Sequence, residues 1–167
     1  SVADVPPNCN ETVLTLLGGC VAGIANPINP LLESEQISAI LRETGAKAVV
    51  TVKAFPKTDV AQKVAEAVGH APNVKHVIEV DLLRYLTGVK KLIVPLIRPK
   101  NPSNHHAKII DFNAEIARQP ADRLTFEDST GDRVAAYFHT GGTTGMPRVA
   151  QHKYSGLIYN GWLGATI

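Results

Sequence analysis

An alternation between residues 33 and 80 is the tightest constraint on how this chain can fold. Residues 33–44 place Ile37, Ile40 and Leu41 on one helical stripe and stop at Gly45. Ala48-Val49-Val50-Thr51-Val52 follows, a β-branched run without polar alternation, as a strand buried on both faces requires. Helical spacing returns at Val60, Val64, Ala67 and Val68, closed by Gly69 and Pro72, and Val74 to Val80 reads as the next strand. Strands and helices at this rhythm stack as βαβ units. The expected fold class is therefore layered α/β, a mostly parallel sheet with helices on both faces. A length of 167 residues suffices for one such domain. Ligands of such sheets sit on the loops that leave the carboxyl ends of the strands.

Either side of this alternation the pattern is looser. Asn10 is the expected N-cap of a helix with Glu11 in its first turn. That helix is apolar nearly all round through Val13, Leu14, Leu16, Leu17, Cys20 and Val21, which predicts deep burial and an end near Gly23. Gly23 to Pro27 reads as a short strand. Thr12 to Leu32 carries no charge, but Asn26, Pro27, Asn29 and Pro30 break it as a membrane span, and the start lacks a signal-peptide pattern. The chain reads as cytoplasmic. Downstream, a helix is expected over about Lys108 to Arg118, a strand over Arg133 to His139, and a helix from Tyr154 through Tyr159.

Residues 82–110 break the rhythm. They hold Arg84, Lys90, Lys91, Arg98, Lys100 and Lys108 and no acidic residue, while Leu82, Leu83, Leu86, Val89, Ile93, Leu96 and Ile97 recur at near-helical spacing around Pro95. On the residues alone the preferred reading is a surface helix that packs its apolar stripe on the domain with lysines in water. The alternative is an amphipathic helix that lies on an anionic membrane surface, peripheral to its inner face, or grips a partner. The overall net charge of +2 and 5% aromatic content do not suit nucleic-acid binding. Cys9 and Cys20 have no metal spacing and read as buried free thiols. His105–His106 has no carboxylate or thiol near it in sequence and reads as a solvated loop rather than a metal site.

The chemistry concentrates in one stretch. His139-Thr140-Gly141-Gly142-Thr143-Thr144-Gly145-Met146-Pro147-Arg148 sets three glycines, three threonines and a cation after an apolar strand. Glycines let backbone N–H groups approach an anion, threonine hydroxyls donate to phosphate oxygens or touch Mg²⁺, and Arg148 offers a fork of donors. A polyphosphate is the natural guest. The stretch is neither G-x-x-x-x-G-K-[ST] nor G-x-G-x-x-G.

Thr140 to Val149 resembles the signature loop of the adenylate-forming superfamily, T-S-G-T-T-G-x-P-K-G, which here reads T-G-G-T-T-G-M-P-R-V. Gly141, Arg148 and Val149 replace Ser, Lys and Gly. The Gly-Gly form is similar to the acyl-CoA synthetase branch, and Val149 suggests that a strand begins right after the loop. Asn8-Cys9-Asn10-Glu11 with its helix, Asn26-Pro27-Ile28-Asn29-Pro30, and Thr44 to Val50 also resemble family segments, and Gln151–His152 is similar to the His that opens the helix after the loop.

The resemblance implies an ATP-dependent acyl-CoA synthetase. A carboxylic acid and Mg·ATP give acyl-adenylate and pyrophosphate, and CoA then displaces AMP, in the service of fatty acid metabolism. Thr140, Thr143, Thr144 and Arg148 would be phosphate donors and Gly141, Gly142 and Gly145 the backbone cradle, none of them a nucleophile or general base. His139, Tyr159 and Trp162 would either reach the acyl pocket or pack in the core. It also implies that residues 1–167 are part of an N-terminal domain, with 82–110 as an insertion and the C-terminal domain elsewhere. Alone, they would be inactive and hold no tightly bound cofactor. Two other functions stay open: an aryl- or amino-acid-activating enzyme that loads a carrier protein, and a non-catalytic anion- or membrane-surface-binding module.

Overall fold

The computed structural model describes residues 1–5, 9–100, 102, 104–127, 131–140 and 148–166. Among them seven strands join one sheet: β1 (Val2–Asp4), β2 (Ala25–Pro27), β3 (Ala48–Val52), β4 (His76–Val80), β5 (Lys108–Asp111), β6 (Val134–Thr140) and β7 (Arg148–Lys153). The spatial order is β5-β4-β3-β1-β2-β6-β7, parallel throughout except for the antiparallel β6–β7 pair. The helices are α1 (Asn10–Ala22), α2 (Ser34–Glu43), α3 (Val60–Gly69), α4 (Gly88–Ile97), α5 (Phe112–Ile116) and α6 (Tyr154–Ala165).

The order follows from the connections. The chain steps from β1 to β2 in one direction, then crosses back over β1 to β3 and continues outward to β4 and β5. Right-handed crossovers put helices of opposite steps on opposite faces. Thus α2 and α3 share one face, where Ile37, Ile40, Leu41, Val64 and Val68 pack on Ala3, Val5, Val49 and Val77. Phe112 of α5 covers the other face with Val2, Val50 and Val80. Neighbouring residues Val49 and Val50 serve opposite cores, the period-2 geometry of a doubly covered strand. Helices on both faces and a mostly parallel sheet bear out the fold expected from the sequence.

Local chemistry fixes the junctions. Glu33 donates its N–H to Gln36 Oε1 (3.1 Å) at the start of α2, and Gly45 closes that helix at φ +58°, a left-handed turn that suits glycine. Asn73 Nδ2 donates to the carbonyls of Leu41 (2.8 Å) and Ala46 (2.7 Å), so a residue before β4 satisfies the end of α2.

The structure corrects five expectations. Asn10 is the first residue of α1 rather than its cap, and Cys9 occupies the cap position. The helix is also not buried all round. It buries Glu11, Thr15 and Gly19, and leaves Val13, Leu14, Leu17 and Val21 exposed. Close approach explains the choice: a Cβ at Gly19 would stand 3.3 Å from Ala25 Cβ of β2. Lys108–Asp111 is a strand, not the start of a helix, because its backbone completes a parallel ladder with His76–Glu79. The cysteines are free but only half-buried. The pair His105–His106 is also less free than a solvated loop, since His106 Nε2 lies 2.8 Å from the Val74 carbonyl.

One buried carboxyl strains this arrangement. Asp4 ends β1 between Val50 and Pro27, is 4% exposed, and its Oδ1 has no hydrogen-bond partner among the described residues. Burial pushes its pKa up to about 7 from 3.8. The folded state then holds a proton that the unfolded chain releases above the lower value. The resulting penalty grows from about pH 4 to about pH 7, and its upper bound is ~4 kcal/mol. Asp4→Asn is expected to raise the melting temperature at pH 8 and leave it nearly unaltered at pH 4. An equal shift at both pH values would reject a charge-burial penalty.

Candidate functional site

β6 joins the parallel sheet beside β2 through Ala25 and Ala136, so Thr140 emerges at the carboxyl edge. The chain returns as β7 in antiparallel register, and Thr140 pairs with Arg148 as the last rung. Thr140 Oγ1 donates to the Arg148 carbonyl at 3.4 Å. The segment between them therefore leaves and re-enters the sheet at one point. Thr140 and Arg148 are both exposed at that neck. Gly141, Gly142, Thr143, Thr144 and Gly145 lie outside the described residues. A hydroxyl and a guanidinium at the carboxyl edge are donors suited to an anion.

The neck rests on a relay that sequence reasoning missed. His139 Nε2 lies 2.6 Å from Asn26 Oδ1, Asn26 Nδ2 donates to Thr44 Oγ1 (2.9 Å), and Thr44 Oγ1 donates to the Ile40 carbonyl (2.7 Å). Each donor direction is set by the next, which puts the His139 proton on Nε2. Burial lowers the His139 pKa, with Glu43 pulling weakly the other way, and its Nδ1 is buried with no hydrogen-bond partner among the described residues. Asn26 is fully buried in β2. The available signal was an Asn in a three-residue strand, a polar group that must find partners.

A second anchor fixes both ends of the hairpin. Arg133, just before β6, donates to the carbonyls of Cys20 and Val21 (both 2.8 Å) and of Gly23, capping the end of α1. Its guanidinium lies 4.9 Å from the Tyr154 ring centroid, and the Tyr154 hydroxyl donates to the Cys20 carbonyl as well. Asp132 accepts from the Ser155 N–H (3.1 Å) and hydroxyl (2.9 Å) at the start of α6. Contact with Ser155 holds the Asp132 carboxyl below its usual range.

The structure separates the remaining candidates. A strand does begin at Arg148, as Val149 suggested. His152 belongs to β7 and meets the Phe138 ring edge-on at 4.9 Å, whereas Tyr154 opens the helix, so His152 does not open it. Tyr159 and Trp162 are 57% and 60% exposed, so neither packs in a core formed by the described residues. No group of three or more metal-ligating side chains occurs among those residues, and no helix among them is long and apolar enough to cross a membrane.

Comparison with known proteins adds an independent line. The family model described as AMP-binding enzyme matches residues 1–165. A marinolic acid–CoA ligase from Pseudoalteromonas sp. is 34% identical over 161 residues, covering 96% of this chain and 21% of that protein. A long-chain-fatty-acid–CoA ligase from Haemophilus influenzae is 27% identical over 164 residues, covering 95% of this chain and 28% of that protein. The chain thus spans between 21% and 28% of the length of these relatives. Among solved structures, the A domain of carboxylic acid reductase from Segniliparus rugosus, in complex with AMP and a carboxylic acid, superposes with a TM-score of 0.67 at 15% identity. That match covers 92% of this chain and 24% of that domain's chain, and it shows the shared fold.

The relay predicts a coupled pair. Asn26→Ala strips His139 and Thr44 of a buried partner and should cost about 1–3 kcal/mol in denaturant unfolding. His139→Phe alone should cost less, and adding it to Asn26→Ala should cost little more. Strictly additive losses would show that the two side chains do not act together.

Proposed function

The chain belongs to the family of AMP-binding enzymes, and from that premise we propose that it is part of an ATP-dependent acyl-CoA synthetase acting on a fatty or other apolar carboxylic acid in the cytoplasm. The observation that carries this reading is the neck itself, where Thr140 and Arg148 are paired across the mouth of the Gly/Thr segment at the carboxyl edge. The CoA ligase names of both sequence relatives support a thioester product over the loading of a carrier protein. The family match supports an enzyme over a non-catalytic binding module.

In the proposed reaction a substrate carboxylate oxygen attacks the α-phosphorus of Mg·ATP. The new P–O bond gives acyl-adenylate, and the bond to the bridging oxygen breaks, releasing pyrophosphate. The CoA sulfur then attacks the acyl carbon, and AMP leaves with the carboxyl-derived oxygen. Such transfers depend on positioning and on stabilising negative charge. Arg148 and Thr140 would bind the β- and γ-phosphates with the hydroxyls of Thr143 and Thr144 and the backbone of Gly141, Gly142 and Gly145. The charge that builds up on departing pyrophosphate falls next to the Arg148 guanidinium. Mg²⁺ enters with ATP as part of the substrate. The donors of the neck suit its phosphates, and a guanidinium beside a bare dication would repel it.

Two measurements test this reading. In the full-length protein, Arg148→Ala is expected to slow single-turnover adenylation by about 10²–10³-fold and to leave thioester formation from supplied acyl-adenylate near the parent rate. Adenylation at the unaltered rate would remove Arg148 from the phosphate grip. The 167-residue chain alone is expected to show no carboxylate-dependent exchange of pyrophosphate into ATP, and exchange above a protein-free blank would show that it carries a complete site.

A further inference from the structure

Two elements stand out from the layered body of the domain. One is α4, which turns its apolar stripe outward: Leu92 and Leu96 are 74% and 85% exposed, and none of the helix is buried. That overturns the expectation that the stripe packs on the domain. The other is the tip of the β6–β7 hairpin. β2 meets β6 in a single backbone rung, Ala25 with Ala136, and ends at Pro27, which has no N–H to extend the ladder. Beyond that rung Phe138, His139 and Thr140 take their rungs from Ala150, Val149 and Arg148 of β7. A two-stranded ribbon of this kind twists strongly and is only marginally stable unless something else holds it.

His139 supplies the link back to β2. Its Nε2 lies 2.6 Å from Asn26 Oδ1, and Asn26 is fully buried. The Asn26 amide in turn donates to Thr44 Oγ1 (2.9 Å), at the C-cap of α2, and the Thr44 hydroxyl donates to the Ile40 carbonyl (2.7 Å). Ile37, Ile40 and Leu41 of that helix are fully buried, so the tip is rooted in a helix locked into the core. The bond also acts at the right place. His139 precedes Thr140, and its cross-strand partner Val149 follows Arg148, so both members of the last rung lie one residue away.

We infer that Asn26 and His139 are positioning residues for the adenylation step. Their hydrogen bond holds the last rung of the hairpin, and with it the roots of the Thr140 and Arg148 side chains, where departing pyrophosphate needs them. This inference rests on the acyl-CoA synthetase reading. In this role neither side chain touches a phosphate, and both act through Thr140 and Arg148. A histidine suits the task because it donates from the far end of a rigid ring and so sets a distance along with the bond. Positioning of this kind acts on the transition state more than on ATP binding.

The test measures both half-reactions of the full-length protein on the same preparation. One is single-turnover release of pyrophosphate with whichever of octanoate, laurate and palmitate the parent activates fastest. The other is thioester formation from the supplied acyl-adenylate. Their ratio does not depend on the fraction of protein that is folded. His139→Phe, which keeps a ring and loses the donor, is expected to slow adenylation by about 10–100-fold relative to thioester formation, with the ATP KM within about threefold of the parent's. Asn26→Ala should lower the ratio similarly. His139→Gln, whose amide N–H donates from nearly the position of Nε2, should recover most of the loss. A parent-like ratio in His139→Phe, an equal fall in both half-reactions, or a Gln variant as slow as the Phe variant would overturn the positioning role and leave the function reading intact. A parent without carboxylate-dependent pyrophosphate release would overturn both.

Discussion

A parallel ladder can persist only where both of its faces are kept from water, and that requirement organises the rest of this structure. β3 and β1 have almost no exposed surface: Val49, Val50, Thr51, Val52, Ala3 and Asp4 are all buried. Each crossover must then bring back a helix, and the reversal of direction after β2 places those helices on opposite faces. The same reversal gathers the carboxyl ends of β1, β2 and β6 on one edge, where Asp4, Asn26 and Thr140 lie. Asp4 shows what this arrangement costs, a carboxyl buried at the end of a central strand in surroundings that favour its neutral form.

Elements with a strong period were legible from the sequence, and those decided by tertiary contact were not. Ala48–Val52 and the helix spacing of residues 34–43 and 60–69 match β3, α2 and α3 because periodicity and burial agree there. β5 has two isoleucines between a lysine and an aspartate, too short a run to declare its period, and it became a strand because β4 offered an open edge. The burial of α1 was misjudged for a related reason. Hydrophobicity counts Val, Leu and Cys, but the helix approaches β2 through Glu11, Thr15 and Gly19, the side that is small or can pair. Where backbones approach closely, size decides before apolarity does.

The candidate site divides in the same way. The motif itself stood out in the sequence because glycines, threonines and a cation in ten residues are unusual after an apolar strand. Its support did not, because His139, Asn26 and Thr44 come from three separate elements and meet only through sheet order. Arg133 is a similar case. As a lone cation before a strand it signals nothing, yet it terminates α1 from more than a hundred residues away.

These supports explain how a short hairpin can hold Thr140 and Arg148 in place, as the proposed phosphate grip requires. β6 is tied to β2 below the neck by the histidine relay, and the start of β6 and of α6 are tied to the end of α1 by Arg133, Tyr154 and Asp132. Thr140 and Arg148 are thus anchored on both sides before any ligand binds, which would lower the ordering cost of the proposed polyphosphate grip. Placing the cation at the first residue of β7 adds to this. Arg148 shares its backbone position with the last rung of the ladder, so its guanidinium starts from a fixed root even though the side chain is exposed. An arginine there offers a planar fork from that root, where a lysine would offer a point charge on a longer-ranging stem. The departure from the family's usual lysine is therefore compatible with the same electrostatic task, performed with more directional hydrogen bonding.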